Sequence, residues 1–132
     1  GLFMFTCFSG RAIFDKLKSV NKYELLDDNN NIKYSIVKKY KSDILTNYNQ
    51  EIDVILPFSD GKYYSENLVN LDYIISLFKE NGFELIINES FKNLLPSFKL
   101  NNDNFYQQLD KNDKNYIELY NYCILKKNDY ID

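Results

Sequence analysis

The sequence predicts an α/β fold, and two stretches carry that prediction. Residues 2–7, LFMFTC, form a continuous apolar run, followed by a Ser9-Gly10 turn and an amphipathic segment over residues 11–20. Strand, short turn and helix make the βα step of a doubly wound sheet. In the second stretch, Leu71, Ile74, Ile75 and Phe78 recur at helical spacing, and Asn81-Gly82 supplies a left-handed stop. The β-rich residues 83–89 follow it directly. No period repeats along the chain.

Taken in order, residues 2–7 lack any polar alternation. They read as a strand buried on both faces in the middle of a sheet, too apolar for an edge. Such a strand needs cover on both faces and neighbours on both sides, and this chain supplies only part of that. In residues 11–20, Ala12, Ile13, Phe14 and Leu17 alternate with Asp15, Lys16 and Lys18 at helical spacing. Residues 23–58 interrupt the αβ order. Tyr34, Ile36 and Lys38 alternate with Ser35, Val37 and Lys39, a polar Asp-Asn turn lies ahead of them, and Pro57 ends the run EIDVILPF. That is the pattern of an antiparallel excursion of two or three strands. Residues 41–49 read as irregular.

Residues 71–81 then form the amphipathic helix, capped by Asn67 or Asn70. Residues 84–89 read as a strand and 91–98 as a short helix weakened by Pro96. Residues 99–114 are polar and low in complexity, anchored by Phe105, Tyr106 and Leu109, with Asp113 capping a short turn. Residues 116–127, YIELYNYCILKK, read as the last strand. The two late strands predict an antiparallel edge pair. This order matches the second half of a sheet better than a self-contained domain. The chain opens on Gly1, not Met, and runs straight into a strand, as a piece cut from a longer protein would.

A chain of 132 residues suffices for one small domain, and 45% apolar with 27% charged residues is an ordinary globular composition. The abundance of Asn, Lys, Ile and Tyr matches an AT-rich coding sequence, so the Asn count carries no functional weight. A net charge of −3 and a pI near 5.0 argue against a domain that grips nucleic acid through its phosphates. DNA is therefore not an expected partner, while a small nucleotide pocket stays open. The absence of His excludes His-based acid–base chemistry and most zinc sites, so no metal site is expected. Cys7 and Cys123 sit far apart in apolar runs and read as buried free thiols in a reducing compartment. No membrane-spanning run or signal peptide is present, which predicts a cytoplasmic location.

Phosphate-cradling Gly-rich loops, nucleophile elbows, CxxC and HExxH are all absent. Asp110 and Asp113, flanked by lysines, read as solvated loop acids. Lys38, Lys39 and Lys41, like Lys126 and Lys127, read as solvated strand ends. Glu66 stands apart, between tyrosines and the apolar helix. Just ahead of a helix N-terminus, its ionised form is favoured, and it could accept two parallel N–H groups from a guanine edge. On composition alone the commoner reading is a solvated loop acid or a cap.

These residues carry a resemblance. GLFMFTCFSGRAIFDKL resembles the segment of mRNA cap (guanine-N7) methyltransferases that runs from a Gly-Gly turn through a central strand into a helix. EIDVILPFSDGKYYSENLVNLDYIISLFKENGFELI is similar to that family's later signature, closest to the methyltransferase domains of large DNA virus capping enzymes. YIELYNYCILKK is similar to its final strand. The resemblance covers nearly the whole chain. It implies the C-terminal half of a class I, Rossmann-like methyltransferase, with residues 1–132 as part of one domain and 23–58 as an antiparallel insertion. It implies S-adenosyl-L-methionine as donor, bound mostly by residues upstream of Gly1, and the capped 5′ end of an mRNA as acceptor. Glu66 matches the acid that binds the guanine edge, and Tyr120 the aromatic of the last strand that lines the cap pocket. Phe8 falls where many members place Pro against the guanine, and Tyr64, with Tyr63, neighbours the pocket. No general base is required, so no catalytic residue is assigned. The rest of the same polypeptide is an implied partner, a stimulatory subunit is left open, and a viral source would place the protein in a viral factory or virion. The competing expectations are a non-catalytic methyltransferase-like module that binds RNA or a partner subunit, and a class I methyltransferase with another substrate.

Overall fold

A computed structural model describes residues 1–129 of the chain. The last three residues of the expected 1–132 domain lie outside the described part. The structure is a mixed α/β arrangement with two sheets. The first holds β1 (Leu2–Phe8), β7 (Tyr120–Lys127) and β6 (Phe83–Ser90), in that order, and the second holds β2 (Lys22–Leu26), β3 (Ile32–Lys38), β4 (Glu51–Ile55) and β5 (Tyr64–Asn67). Every described pairing is antiparallel. β1 and β6 therefore run in the same direction, on either side of β7.

The local signals explain most elements. Ser9 caps α1 (Gly10–Lys16), its hydroxyl accepting from the Ala12 N–H at 3.2 Å. This helix is shorter than the expected 11–20, because Leu17 already leaves helical geometry at ψ 7°. Asn70 caps α2 (Leu71–Glu80), and Gly82, at φ +83°, makes the left-handed exit into β6. The excursion has a fourth strand, β5, which the expected 23–58 boundary leaves out. A short 3₁₀ turn over residues 91–94 leads into α3 (Leu95–Asn101) and α4 (Asp103–Tyr106). The polar stretch at 99–114 is thus largely helical. α5 (Lys111–Ile117) begins at Asp110 with a capping box, in which Asp113 reciprocates to the Asp110 N–H. That helix consumes Tyr116 and Ile117, so the last strand starts at Tyr120 instead of Tyr116.

The core lies between the inner face of the second sheet and the α1 and α5 side of the chain. Register places Tyr34, Ile36, Ile52, Val54, Tyr64 and Glu66 on one face, by the strict two-residue alternation of paired strands. Ile36, Ile52 and Val54 there pack with Ile13, Phe14, Leu17, Tyr116 and Leu119. A smaller cluster joins α2 to the first sheet through Leu71, Ile75, Cys123 and Leu125.

Among the described residues β1 has a neighbour on one side only, β7, and Leu2 is 72% and Met4 68% exposed, in keeping with a chain that supplies only part of the cover this strand needs. One expectation about the first sheet is corrected. The late pair β6–β7 is antiparallel as expected, yet β7 is the middle strand, since β1 takes its other side. Cys7 and Cys123 are both free thiols, the first half-buried and the second buried. Burial, then the neighbouring Cys123, pushes the Cys7 thiol up to about 11.

Candidate functional site

One tight junction brings three distant strands together. Where β1 meets α1, the Ser9 N–H donates to the Leu119 carbonyl at 2.8 Å and the Gly10 N–H to the Val69 carbonyl at 2.9 Å. The approach requires glycine, since a Cβ on Gly10 would stand 2.3 Å from the Val69 oxygen. Leu119 is followed by Tyr120 on β7, and Val69 lies three residues past Glu66 on β5. The junction therefore sets Phe8, Tyr120 and Glu66 relative to one another.

Glu66 is not at a helix entrance. It lies inside β5, opposite Ile52, and Asn70 rather than Asn67 caps α2. The reason is non-local: residues 64–67 become a strand by pairing with β4. The electrostatic consequence is also reversed. Burial pushes the Glu66 carboxyl above the ordinary glutamate value, where a helix N-terminus would have pulled it down. No described residue offers this half-buried carboxyl a hydrogen bond or a cation, and desolvation is the sole cause of its shift.

An aromatic cluster lies within reach of its charge. The Tyr120 ring stacks on Phe8, with centroids 4.2 Å apart, and its hydroxyl lies 2.9 Å from that of Tyr116. Tyr116 is stacked under Tyr34 at 3.9 Å and meets Phe8 edge-on at 5.6 Å. Burial, first of all, raises the pKa of both Tyr116 and Tyr120, and the Glu66 charge adds to each shift. Carboxyl and hydroxyls thus share one electrostatic neighbourhood, and both phenols stay protonated donors at neutral pH.

A brace fixes the cluster from behind. The Tyr34 hydroxyl donates to Asp113 at 2.8 Å, and the Lys33 ammonium bridges Asp113 at 2.8 Å and Asp110 at 3.1 Å. Asp113 is only 8% exposed, so the solvated reading fails for it. Asp110 is exposed, and its pKa is lowered by the Asp113 backbone N–H and then by Lys33.

Of the expected residues, the structure stacks Phe8 on Tyr120 and brings Tyr120 within reach of the Glu66 charge. Phe8 is 8% exposed, with Tyr120 and Tyr116 against its ring, so it backs Tyr120 and does not offer a free face. Tyr64 shares the Glu66 face of β5, half exposed at the strand edge. Tyr63 belongs to the opposite face, where its hydroxyl meets Ser35 at 3.2 Å. Sequence reasoning missed Tyr116, Tyr34, Lys33 and the bonds Asp113 makes to the last two. A signal existed for the place of Asp113, since Asp110 and Asp113 have the spacing of a capping box.

The space a Cβ would fill at Gly10 is taken by the Val69 backbone, so that glycine serves chain packing and cradles no ligand.

No family model matches the sequence. Over 133 aligned residues, 97% of this chain, it is 36% identical to the mRNA-capping enzyme of African swine fever virus from a South African tick isolate and a Namibian warthog isolate. The corresponding protein of a Kenyan pig isolate is 35% identical over the same share. The chain is similar to a segment of a viral mRNA-capping enzyme. It spans 15% of the length of those relatives, whose name is that of the whole polypeptide. No helix among the described residues is long and apolar enough to cross a membrane.

Proposed function

We propose that this chain is part of an mRNA cap guanine-N7 methyltransferase and supplies part of its cap-guanine pocket. S-adenosyl-L-methionine would be the methyl donor, held by residues outside this chain. The observation that carries the reading is Glu66: a half-buried carboxyl without a described partner, whose charge acts on two phenol hydroxyls that bond to each other. A partly desolvated carboxylate gains from a ligand that offers it two parallel donors. The N1–H and 2-amino groups of guanine are such donors, while tyrosine rings supply apolar area for the base. The similarity to a capping enzyme supports the same reading, as does the antiparallel β6–β7 pair at the end of the chain.

The role of these residues is to bind and orient. Guanine held by its N1 and 2-amino edge presents N7 on the edge away from Glu66. Transfer then depends on holding N7 in line with the methyl carbon, which proximity and orientation supply without a base. The capped 5′ end of an mRNA is the acceptor, and the remainder of the polypeptide is the necessary partner.

In the full-length polypeptide, Glu66→Gln and Glu66→Ala are expected to lower kcat/KM for cap methylation roughly 30- to 1,000-fold, about 2–4 kcal/mol of transition-state binding. Cap methylation at the wild-type kcat/KM in both variants would overturn the reading.

A further inference from the structure

We propose that Tyr116 is a positioning residue of this site: it donates its hydroxyl to Tyr120, which frees the Tyr120 O–H to donate to the 6-oxo oxygen of a bound guanine. The inference rests on the guanine reading above and extends it from the N–H edge of the base to the neighbouring acceptor.

Proton accounting decides the direction of the Tyr116–Tyr120 bond. Two hydroxyls 2.9 Å apart hold two protons, and one lies between them. Tyr116 is 9% exposed, and the polar groups behind it are already engaged. The Tyr34 hydroxyl donates to Asp113, which also accepts from Lys33 and from the Asp110 N–H. If Tyr120 donated to Tyr116, the Tyr116 proton would be buried with no described acceptor, which native structures avoid. Tyr116 is therefore the donor, and the proton of the half-buried Tyr120 is the free one.

The stacking geometry makes this assignment rigid. Tyr34 lies flat on Tyr116, 15° from parallel, while Phe8 abuts its edge at 89° and stacks on Tyr120. The Lys33–Asp113–Tyr34 brace therefore holds Tyr116, and Tyr116 holds Tyr120. An acceptor at Glu66 beside a donor at Tyr120 complements guanine, whose N1–H donor adjoins a 6-oxo acceptor. Adenine presents the opposite pair, an acceptor at N1 and a donor at position 6.

The test uses the full-length capping polypeptide and RNA capped with guanine, hypoxanthine or 6-thioguanine. Hypoxanthine lacks the 2-amino donor and reads Glu66. 6-Thioguanine keeps both N–H donors and replaces the 6-oxo oxygen by sulfur, a weak acceptor. Wild type is expected to favour guanine over 6-thioguanine by about five- to tenfold in kcat/KM, the worth of one hydrogen bond. Tyr120→Phe should bring that ratio close to one and leave the guanine-to-hypoxanthine ratio unchanged, with thermal melting showing the variant folded. Tyr116→Phe leaves Tyr120 its proton but removes the bond that aims it, so the ratio should fall part of the way, and the double variant should match Tyr120→Phe. A folded Tyr116→Phe or Tyr120→Phe that keeps the wild-type guanine-to-6-thioguanine ratio would overturn the inference. A wild-type guanine-to-hypoxanthine ratio of one would overturn the Glu66 reading instead.

Discussion

The two sheets of this chain treat apolar residues in opposite ways. β3 and β4 bury Ile36, Ile52 and Val54 to 2% exposure or less, although both strands also carry charged residues. β1 is almost wholly apolar and leaves Leu2, Phe3 and Met4 exposed. The difference comes from what each face meets. The inner face of the second sheet packs against α1 and against Tyr116 and Leu119, while in the first sheet α2 covers only the side that holds Phe5, Cys123 and Leu125. Apolar sequence states that a strand needs cover, and the packing around it decides whether the described residues provide any.

The widest contrast should come from truncation. Ile36→Ala is expected to cost about 2–5 kcal/mol, whereas Met4→Ala, on the exposed side of β1, should stay within about 0.5 kcal/mol. Urea midpoints at constant m-value measure both, and equal losses would erase the distinction between the sheets.

The junction that ties the two sheets together comes next. Gly10→Ala forces a methyl group against the Val69 carbonyl and should cost roughly 1–3 kcal/mol. The same substitution at Gly61, whose Cβ direction is open but whose φ is +71°, makes the control, since its penalty is backbone strain without a clash. A Gly10→Ala variant as stable as wild type would show that the sheets are not held through this contact.

The smallest effect has the opposite sign. The folded-state pKa of Glu66 is raised, so above the ordinary value of 4.5 the folded chain holds more of this proton than the unfolded chain. Stability then falls as pH rises through the interval between 4.5 and the raised value, and the loss persists at neutral pH. Glu66→Gln should therefore stabilise the chain slightly at neutral pH, with the gain fading below pH 4.5. A stability difference independent of pH, followed by denaturant titration, would count against burial as the cause.

Much of the fold could be read locally. α2, its Asn70 cap, its Gly82 exit and β6 all follow from periodicity and turn chemistry within one window of the chain. The antiparallel pairing of β2, β3 and β4 was likewise visible as alternation around a polar turn. β5 was not, because YSEN has no apolar alternation and becomes a strand only through β4. The boundary near Tyr116 was misplaced for a related reason. Its surroundings favour a strand by composition, but a capping box begun at Asp110 carries the helix through Ile117. Glu66 and Tyr120 could be singled out from the residues and the resemblance, while their supports could not. Lys33 and Asp113 lie 80 positions apart, and no pattern within either segment announces their ion pair.

By itself, the sequence determined the strand–turn–helix step at the start of the chain, the capped α2 with β6 behind it, and that one acid near the apolar helix stands apart. Those properties depend on neighbours a few positions away. Tertiary structure alone decided that Glu66 lies in a strand with a raised pKa, that Tyr116 stands behind Tyr120, and that β7 lies between β1 and β6. Each of these depends on which distant groups share a dielectric environment, and that is settled only when the strands pair and the rings stack.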